Sequence, residues 1–515
     1  MSRRFGWWVL ACVVAFASAL GPAGDVRGGL FELHVRTDGN DSLCNGTKDR
    51  PADQAPDCAF RTLGAAVAAA LPNVIVTIGP GTFSTGQVEF NQAITVRGQA
   101  GSRPTLVAES GPVWLTCDAG VACKFENVAF DGDNQASVTS GMWIEGTGTL
   151  KDVTFSRFDG TALVIEGQAD VSGSTFEDLH KAVFIGSAVV STVSHSVLSN
   201  VDVGISVNAG RATASFNRFV QARRAVEVVE GDLQSASQVS LVGNDMQDVE
   251  QYLFSDAPFA SIFGAGNRLS GRLQFGTQQT ASFAMSSNWW RCDTGPDYTG
   301  STSCAQLPYS TPANWFGQSP WIVMAAHAPQ YARGPADVIV DMTHRSDGTG
   351  TAANLPDGIE AMFSVPAAKG SIPATAALVD GVSRATFIPG PADGIAIVTV
   401  RLDETQATVP IFVDRKAPTT SIVAPVHKRA LKRLSRVAVA AADPAPRSDV
   451  AGVDVAIRRK VGKVCSAWNG ATWVIRPCGA KLWRPTLRSA GGRWVFSLPQ
   501  GAGDAAGTYA IFSRA

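Results

Sequence analysis

Ser174-Thr175-Phe176-Glu177-Asp178-Leu179-His180-Lys181-Ala182-Val183-Phe184-Ile185 returns 22 residues later as Ser196-Val197-Leu198-Ser199-Asn200-Val201-Asp202-Val203-Gly204-Ile205-Ser206-Val207. It returns again 21 residues on as Asn217-Arg218-Phe219-Val220-Gln221-Ala222-Arg223-Arg224-Ala225-Val226-Glu227-Val228. The apolar anchor of this block has equivalents at Phe130, Phe155, Phe176, Leu198, Phe219, Met246, Leu269 and Trp290, at intervals of 25, 21, 22, 21, 27, 23 and 21 residues. A recurring unit of this size marks a solenoid in which each repeat is one coil stacked on the last. The run after each anchor alternates with period two, which argues strands, not helices. Leu163/Ile165, Val183/Ile185, Ile205/Val207 and Val226/Val228 are therefore expected to point inward, coil above coil. Two residues before the anchor stand Ser174, Ser196, Asn217, Asn244, Asn267 and Asn288. Stacked amides hydrogen-bond from layer to layer, and asparagine tolerates left-handed backbone angles at a turn. Residues from about 30 to 300 are thus predicted to form a right-handed parallel β-helix. Leucine-rich and helical repeats would show other consensus patterns, and neither is present.

Length allows about three domains, and the low charged fraction, 17%, fits a folded chain. Arg3 and Arg4 precede an apolar stretch from Phe5 to Leu20, with Ala17-Ser18-Ala19 as a cleavage site. Residues 1–23 accordingly read as a secretory signal, since the stretch is short for a membrane span. Val9-Leu10-Ala11-Cys12 faintly resembles a lipoprotein cleavage box, but the apolar run continues past it. The other eight cysteines fall into local pairs, Cys44/Cys58, Cys117/Cys123, Cys292/Cys304 and Cys465/Cys478. In an exported chain such pairs read as disulfides. Cys117/Cys123 has an alternative, with both residues pointing into the solenoid core. Zinc would need tighter cysteine or histidine spacing, and the histidines (34, 180, 195, 327, 344 and 427) are scattered. Charge is uneven. Residues 416–515 hold 17 Lys and Arg against four Asp, a net of +13, whereas the whole chain is at −1. The first 415 residues are therefore acidic and the last hundred basic.

Ahead of the repeats, Phe31 to Val35 is expected as a first strand. Phe60, Leu63, Val67 and Ala70 share one face of a short helix over Gly64 to Leu71, ended by Pro72. Such a helix would cover the open first coil. Val74-Ile75-Val76-Thr77-Ile78 is the next strand, followed by Gly79-Pro80-Gly81-Thr82-Phe83. With Cys58-Ala59-Phe60-Arg61-Thr62-Leu63, this order resembles the start of exported bacterial proteins of the pectin-lyase-like, right-handed β-helix superfamily. Asn288-Trp289-Trp290, Cys292, Gly295-Pro296 and Pro320-Trp321-Ile322-Val323 resemble the closing segment of those proteins, with Arg291 where a glycine is usual. The resemblance spans roughly residues 31–323. It implies a fold and leaves activity open, because the superfamily holds lyases, hydrolases, epimerases and surface proteins.

Residues 324–415 read as short strands between Gly, Pro and Asp turns: Val338–Met342, Ile359–Val365, Ala385–Phe387, Ile395–Val400 and Thr408–Val413. With Leu355-Pro356-Asp357-Gly358-Ile359, they resemble bacterial immunoglobulin-like modules of the invasin type. Residues 416–515 resemble a second immunoglobulin-like module through Ala417-Pro418-Thr419-Thr420, Gly452 to Arg459, Trp468-Asn469-Gly470 and Gly507-Thr508-Tyr509. Related modules run on past the equivalent of Arg514-Ala515, so the last strand is expected to be short, or the chain truncated. The predicted fold is all-β, with the segments 1–23, 24–323, 324–415 and 416–515: signal, β-helix with cap helix, and two sandwiches.

Four residues after the anchors stand Asp159, His180, Asp202, Arg223 and Glu250. With layers about 4.8 Å apart, Asp159 and Asp202 would lie about 10 Å apart with His180 between them. Inverting glycosidases separate their carboxyls by roughly 6.5–9.5 Å, so the three are candidate catalytic residues. The competing reading is a solvated ladder of alternating charge. Trp143, Val164 and Phe184, giving way to Ser206 and Glu227, form an outward stripe. Trp143, Phe184, Arg223 and Glu250 are therefore candidate substrate-binding residues, unless a loop such as Asp133–Thr139 covers the stripe. The polygalacturonase motifs of the superfamily are absent, so no catalytic residue carries over. No cofactor is implied. Asp131-Gly132-Asp133-Asn134 offers oxygen ligands for calcium, or simply a turn. Asn40-Asp41-Ser42 and Asn45-Gly46-Thr47 match glycosylation acceptors, of consequence only in a eukaryotic source. The expected partner is a polysaccharide or cell-wall polymer. Nucleic acid, and a transmembrane span after signal removal, are not expected. The expected protein is a monomer, secreted or at the cell surface, that binds polysaccharide. The alternatives are a polysaccharide lyase or glycoside hydrolase, and a structural stalk or adhesin.

Overall fold

The computed structural model describes residues 32–229, 236–275, 282–307, 319–351, 355–428, 433–443, 450–504 and 506–515. The expected signal segment and Cys12 lie outside the described residues. The chain is all-β, with a parallel β-solenoid followed by further antiparallel sheets. It divides into two compact units, one of residues 1–159 and 167–169, the other of residues 160–166 and 170–515.

In the first unit, strands Glu32–Val35, Val74–Ile78, Ile94–Gly98, Ala122–Glu126 and Thr147–Lys151 pair in parallel, in that order. A second parallel ladder joins Thr82–Thr85, Thr105–Ala108, Ala129–Asp131 and Thr154–Ser156. Phe155 pairs directly with Phe130, and their rings stack at 4.8 Å. Phe125 meets Phe130 edge-on at 5.8 Å, so the interior is an aromatic column. Each fully buried ring contributes roughly 1.5–3 kcal/mol. The predicted helix is Leu63–Ala69, with Leu63, Ala66 and Val67 buried. Its start is fixed by the Thr62 side chain, which accepts from the Ala65 nitrogen. Asp41 in turn accepts from the Arg61 and Thr62 nitrogens. Cys117 and Cys123 are buried and bonded to each other, Cα to Cα 6.2 Å.

In the second unit, Phe176, Leu198, Phe219, Met246 and Leu269 are register partners in successive coils. Each is fully buried, as are Val183/Ile185 and Val226/Val228, with Ile205/Val207 nearly so. The predicted ladder is continuous. The nitrogens of Ser174, Ser196, Asn217, Asn244 and Asn267 each donate to the side-chain oxygen of the equivalent residue in the next coil, at 2.8–3.1 Å. The amides of Asn217, Asn244 and Asn267 also donate onward to the next asparagine, at 2.8–3.1 Å. The left-handed residue is not the asparagine, as the sequence suggested, but its predecessor: Gly173, His195, Phe216, Gly243, Gly266 and Ser287 all have φ of 50–68°. The reversal at that position aims the next side chain inward, where its amide replaces strand partners that the corner removes.

After the solenoid, Ala336–Arg345 and Val382–Pro389 belong to a four-stranded sheet, and Gly394–Leu402 and Thr405–Val413 to a five-stranded one. Their inner faces share one core that includes Val340, Phe387, Val398 and Ile411. That core also takes in Trp289, so the first tryptophan of the closing Asn-Trp-Trp packs beyond the solenoid. A second sheet pair shares a core of Val437, Val439, Val455, Ile457 and Trp468. Its last strand, Thr508–Arg514, is not short: it pairs with Asp454–Val461 along seven residues.

Candidate functional site

The outer face of the second unit carries polar side chains in strict register. Phe184, Ser206, Glu227, Phe254 and Gln274 are successive partners across parallel coils. Lys181, Val203, Arg224 and Gln251 form a parallel row beside them. The two rows are joined. Lys181 Nζ donates to Ser206 Oγ at 3.2 Å and lies 3.4 Å from Glu227. Ser206 Oγ donates to Glu227 at 3.0 Å, and the Arg224 guanidinium donates to its other oxygen. Arg224 also donates to Gln251 at 3.1 Å, and its guanidinium lies 3.9 Å from the Phe254 ring centroid. Gln251 donates onward to Gln274. Burial opposes the charged form of Glu227, but Lys181, the Arg224 hydrogen bond and Ser206 outweigh it and hold the carboxyl below its ordinary value. The result is a rigid row of rings, amides and ions spaced one coil apart.

Beside it runs the edge read from the sequence. His180 Nδ1 lies 2.7 Å from Asp202 Oδ2, and Arg223 Nε lies 3.8 Å from the other oxygen of Asp202. Glu250 pairs with Arg272 at 2.9 Å. All four of these candidates are exposed or nearly so, and the contacts follow the alternating-charge pattern. Asp159 is exposed and belongs to the first unit. The second-unit group is built without it.

The expected apolar stripe is only partly open. Val164 is 8% exposed, Ser206 and Glu227 are buried, and Phe184 stays half-exposed with Lys181 Nζ 5.7 Å from its ring. In the first unit, Trp143 is half-buried and its Nε1 has no hydrogen-bond partner among the described residues. Asp131 and Asp133 both face the Arg157 guanidinium, which neutralises the oxygens considered for calcium.

The sequence reading missed Lys181, Arg224 and Gln251. Their signal was present: each stands five residues past its anchor, next to the position that was read. It also missed a cleft of about 620 Å³ in the second unit, between the last coils and the first sheet pair. On its floor Arg268 donates to Asp245 at 3.1 Å and to Asp403 at 3.0 Å, and Trp289 Nε1 donates to Asp403 at 2.8 Å. Burial raises the Asp245 carboxyl above its ordinary value against the pull of Arg268. Exposed Phe216, stacked on His195 at 5.2 Å, stands at the rim.

No protein-family model matches the chain, and no curated protein matches it. Among solved structures it is similar to the Escherichia coli adhesin FdeC, at 12% identity and a TM-score of 0.23, over 41% of this chain and 64% of that one. It is similar to the Yersinia pseudotuberculosis adhesin InvE, at 14% identity and a TM-score of 0.16, over 39% of this chain and 60% of that one. It is also similar to Pantoea stewartii WceF, described as a glycan biofilm modifying enzyme with a bacteriophage tailspike-like parallel β-helix fold. That match has 11% identity and a TM-score of 0.24, over 86% of this chain and 73% of that one. The chain therefore spans less than two thirds of the two adhesin chains.

Proposed function

We propose that this is an exported cell-envelope or extracellular protein that binds polysaccharide along the outer face of its solenoid, with residues 324–415 and 416–515 as immunoglobulin-like spacing or anchoring modules. The observation that carries this reading is the joined double row of Lys181, Ser206, Glu227, Arg224, Gln251 and Gln274, flanked by Phe184 and Phe254. Ser206, Glu227 and Gln251 are buried and hold the row in place, while the half-exposed Lys181, Arg224 and Gln274 offer donors and acceptors for sugar hydroxyls and the Phe184 and Phe254 rings offer apolar faces for pyranose stacking. A row repeating at one-coil spacing suits an extended polymer better than a small molecule. Four local disulfides, each with bonded sulfurs, support an oxidising, extracytoplasmic location. A glycan array probed with the full chain, then with Phe184→Ala and Arg223→Ala, tests the reading. Loss of the same glycan signals in both variants supports it, and unchanged signals overturn it.

The His180–Asp202 contact favours one second reading, a polysaccharide lyase or glycoside hydrolase. An imidazole held by a carboxylate is oriented for proton transfer. Product analysis on acidic polysaccharides, with and without calcium, decides it. Full activity in the His180→Ala/Asp202→Ala variant removes the site. A structural stalk remains the reading if neither binding nor products are found.

A further inference from the structure

The strand Asp454–Val461 turns Val455 and Ile457 into the terminal core, so Asp454, Ala456 and Arg458 face the other way. On the neighbouring strand Thr508–Arg514, Phe512 stands opposite Ala456, and Arg514 opposite Asp454. Lys481 and Trp483 come in from the other side. The Arg458 guanidinium lies 5.5 Å and Lys481 Nζ 4.7 Å from the Phe512 ring centroid. The Arg514 guanidinium lies 4.6 Å from the Trp483 ring. Three cations are thus interleaved with two aromatic rings on one sheet face. Lys481 and Arg514 are exposed, and Arg458 Nε makes no hydrogen bond among the described residues. Among the described residues Asp454, held by Arg514 at 2.8 Å, is the acid in contact with this group.

We infer that this face is a second binding site, for an anionic polysaccharide, separate from the solenoid face. The rings supply apolar platforms for pyranose faces, and the interleaved cations meet carboxylate or phosphate groups along the polymer. Complementarity of charge selects the occupant, since residues 416–515 carry +13 by sequence. A nucleic acid shares the charge, but the Cys465–Cys478 disulfide of the same domain places this surface in an oxidising compartment. Glycan is the polyanion favoured there.

The test measures retention of the full chain on immobilised polygalacturonate, on neutral dextran and on duplex DNA, across a salt series. Lys481→Gln/Arg514→Gln removes two exposed charges from the face. Lys463→Gln/Arg493→Gln removes two exposed charges elsewhere in the same domain. Thermal melts confirm that both variants fold. The site predicts polygalacturonate binding that fades as salt rises. It predicts an affinity loss of about tenfold in the face variant, the product of two exposed ion pairs worth severalfold each, and little loss in the control variant. Phe184→Ala on the solenoid should leave this salt-dependent binding intact, so failure of either site is read apart from the other. Equal losses in the two double variants, no loss in the face variant, or DNA retained as strongly as polygalacturonate would overturn the inference.

Discussion

The side-chain oxygen of Asn244 accepts two hydrogen bonds from Asn217, from its main-chain nitrogen at 3.0 Å and its amide at 3.1 Å. Both residues are buried, so neither donor has water to turn to. Asn244→Ala leaves two buried donors of Asn217 short of an acceptor. It also removes the donors to Ala214 and Asn267. The expected cost is about 1–3 kcal/mol, measured by denaturant unfolding. Unchanged stability would mean that the ladder is decorative and that apolar stacking alone sets the register.

The four disulfides join residues 6 to 14 apart in sequence, with Cα separations of 4.9–6.2 Å. Mass spectrometry of an unreduced digest should recover Cys44–Cys58, Cys117–Cys123, Cys292–Cys304 and Cys465–Cys478. Free thiols in protein collected from the medium would contradict both the pairing and the compartment.

Glu227 is 6% exposed and holds Lys181, Ser206 and Arg224 together. Glu227→Gln should destabilise the protein by on the order of 2–4 kcal/mol at neutral pH, because two cations lose their common partner. The folded carboxyl is held below its ordinary value. Its contribution is therefore complete above the usual carboxylate range near pH ~4.3 and is lost as pH falls through the lowered folded value. Melting curves of the two proteins should converge in acid. A gap that stays constant across that range would show that the charge of Glu227 is not what stabilises the row.

Asp403 accepts from Arg268 and from Trp289 Nε1, and its side chain is 4% exposed. Asp403→Ala leaves Arg268 with Asp245 alone and strands the indole nitrogen. A loss of about 3–5 kcal/mol is expected, with faster proteolytic cleavage near the turn at Asp403. Wild-type protease resistance in the variant would show that this pair does not pin the first sheet pair to the last coils.

The solenoid was legible because an inward position must be apolar in every coil, so Phe176, Leu198, Phe219 and Met246 repeat in the sequence. The asparagine ladder was legible for the same reason, since each amide needs its neighbour. The placement of the left-handed residue was not, because His195, Phe216 and Ser287 share no side-chain chemistry and only the backbone repeats. The outer-face network was half legible. Glu227 and Ser206 were seen as a polar end to an apolar stripe. Arg224 stands three residues before Glu227 on the same strand, whereas Lys181 is 46 residues away and reaches it only through the stacking of coils. The Arg268–Asp403 clamp joins residues 135 apart, and local spacing carries no trace of it.

The central claim is that polysaccharide lies along the solenoid face, and amide hydrogen exchange of the full chain with and without a glycan from the array tests it most directly. The account predicts added protection concentrated in Thr175–Ile185, Val197–Asn208 and Arg218–Val229, the strands that carry Lys181, Ser206 and Glu227. Protection confined to residues 416–515, or none in these three strands at saturating glycan, would contradict it.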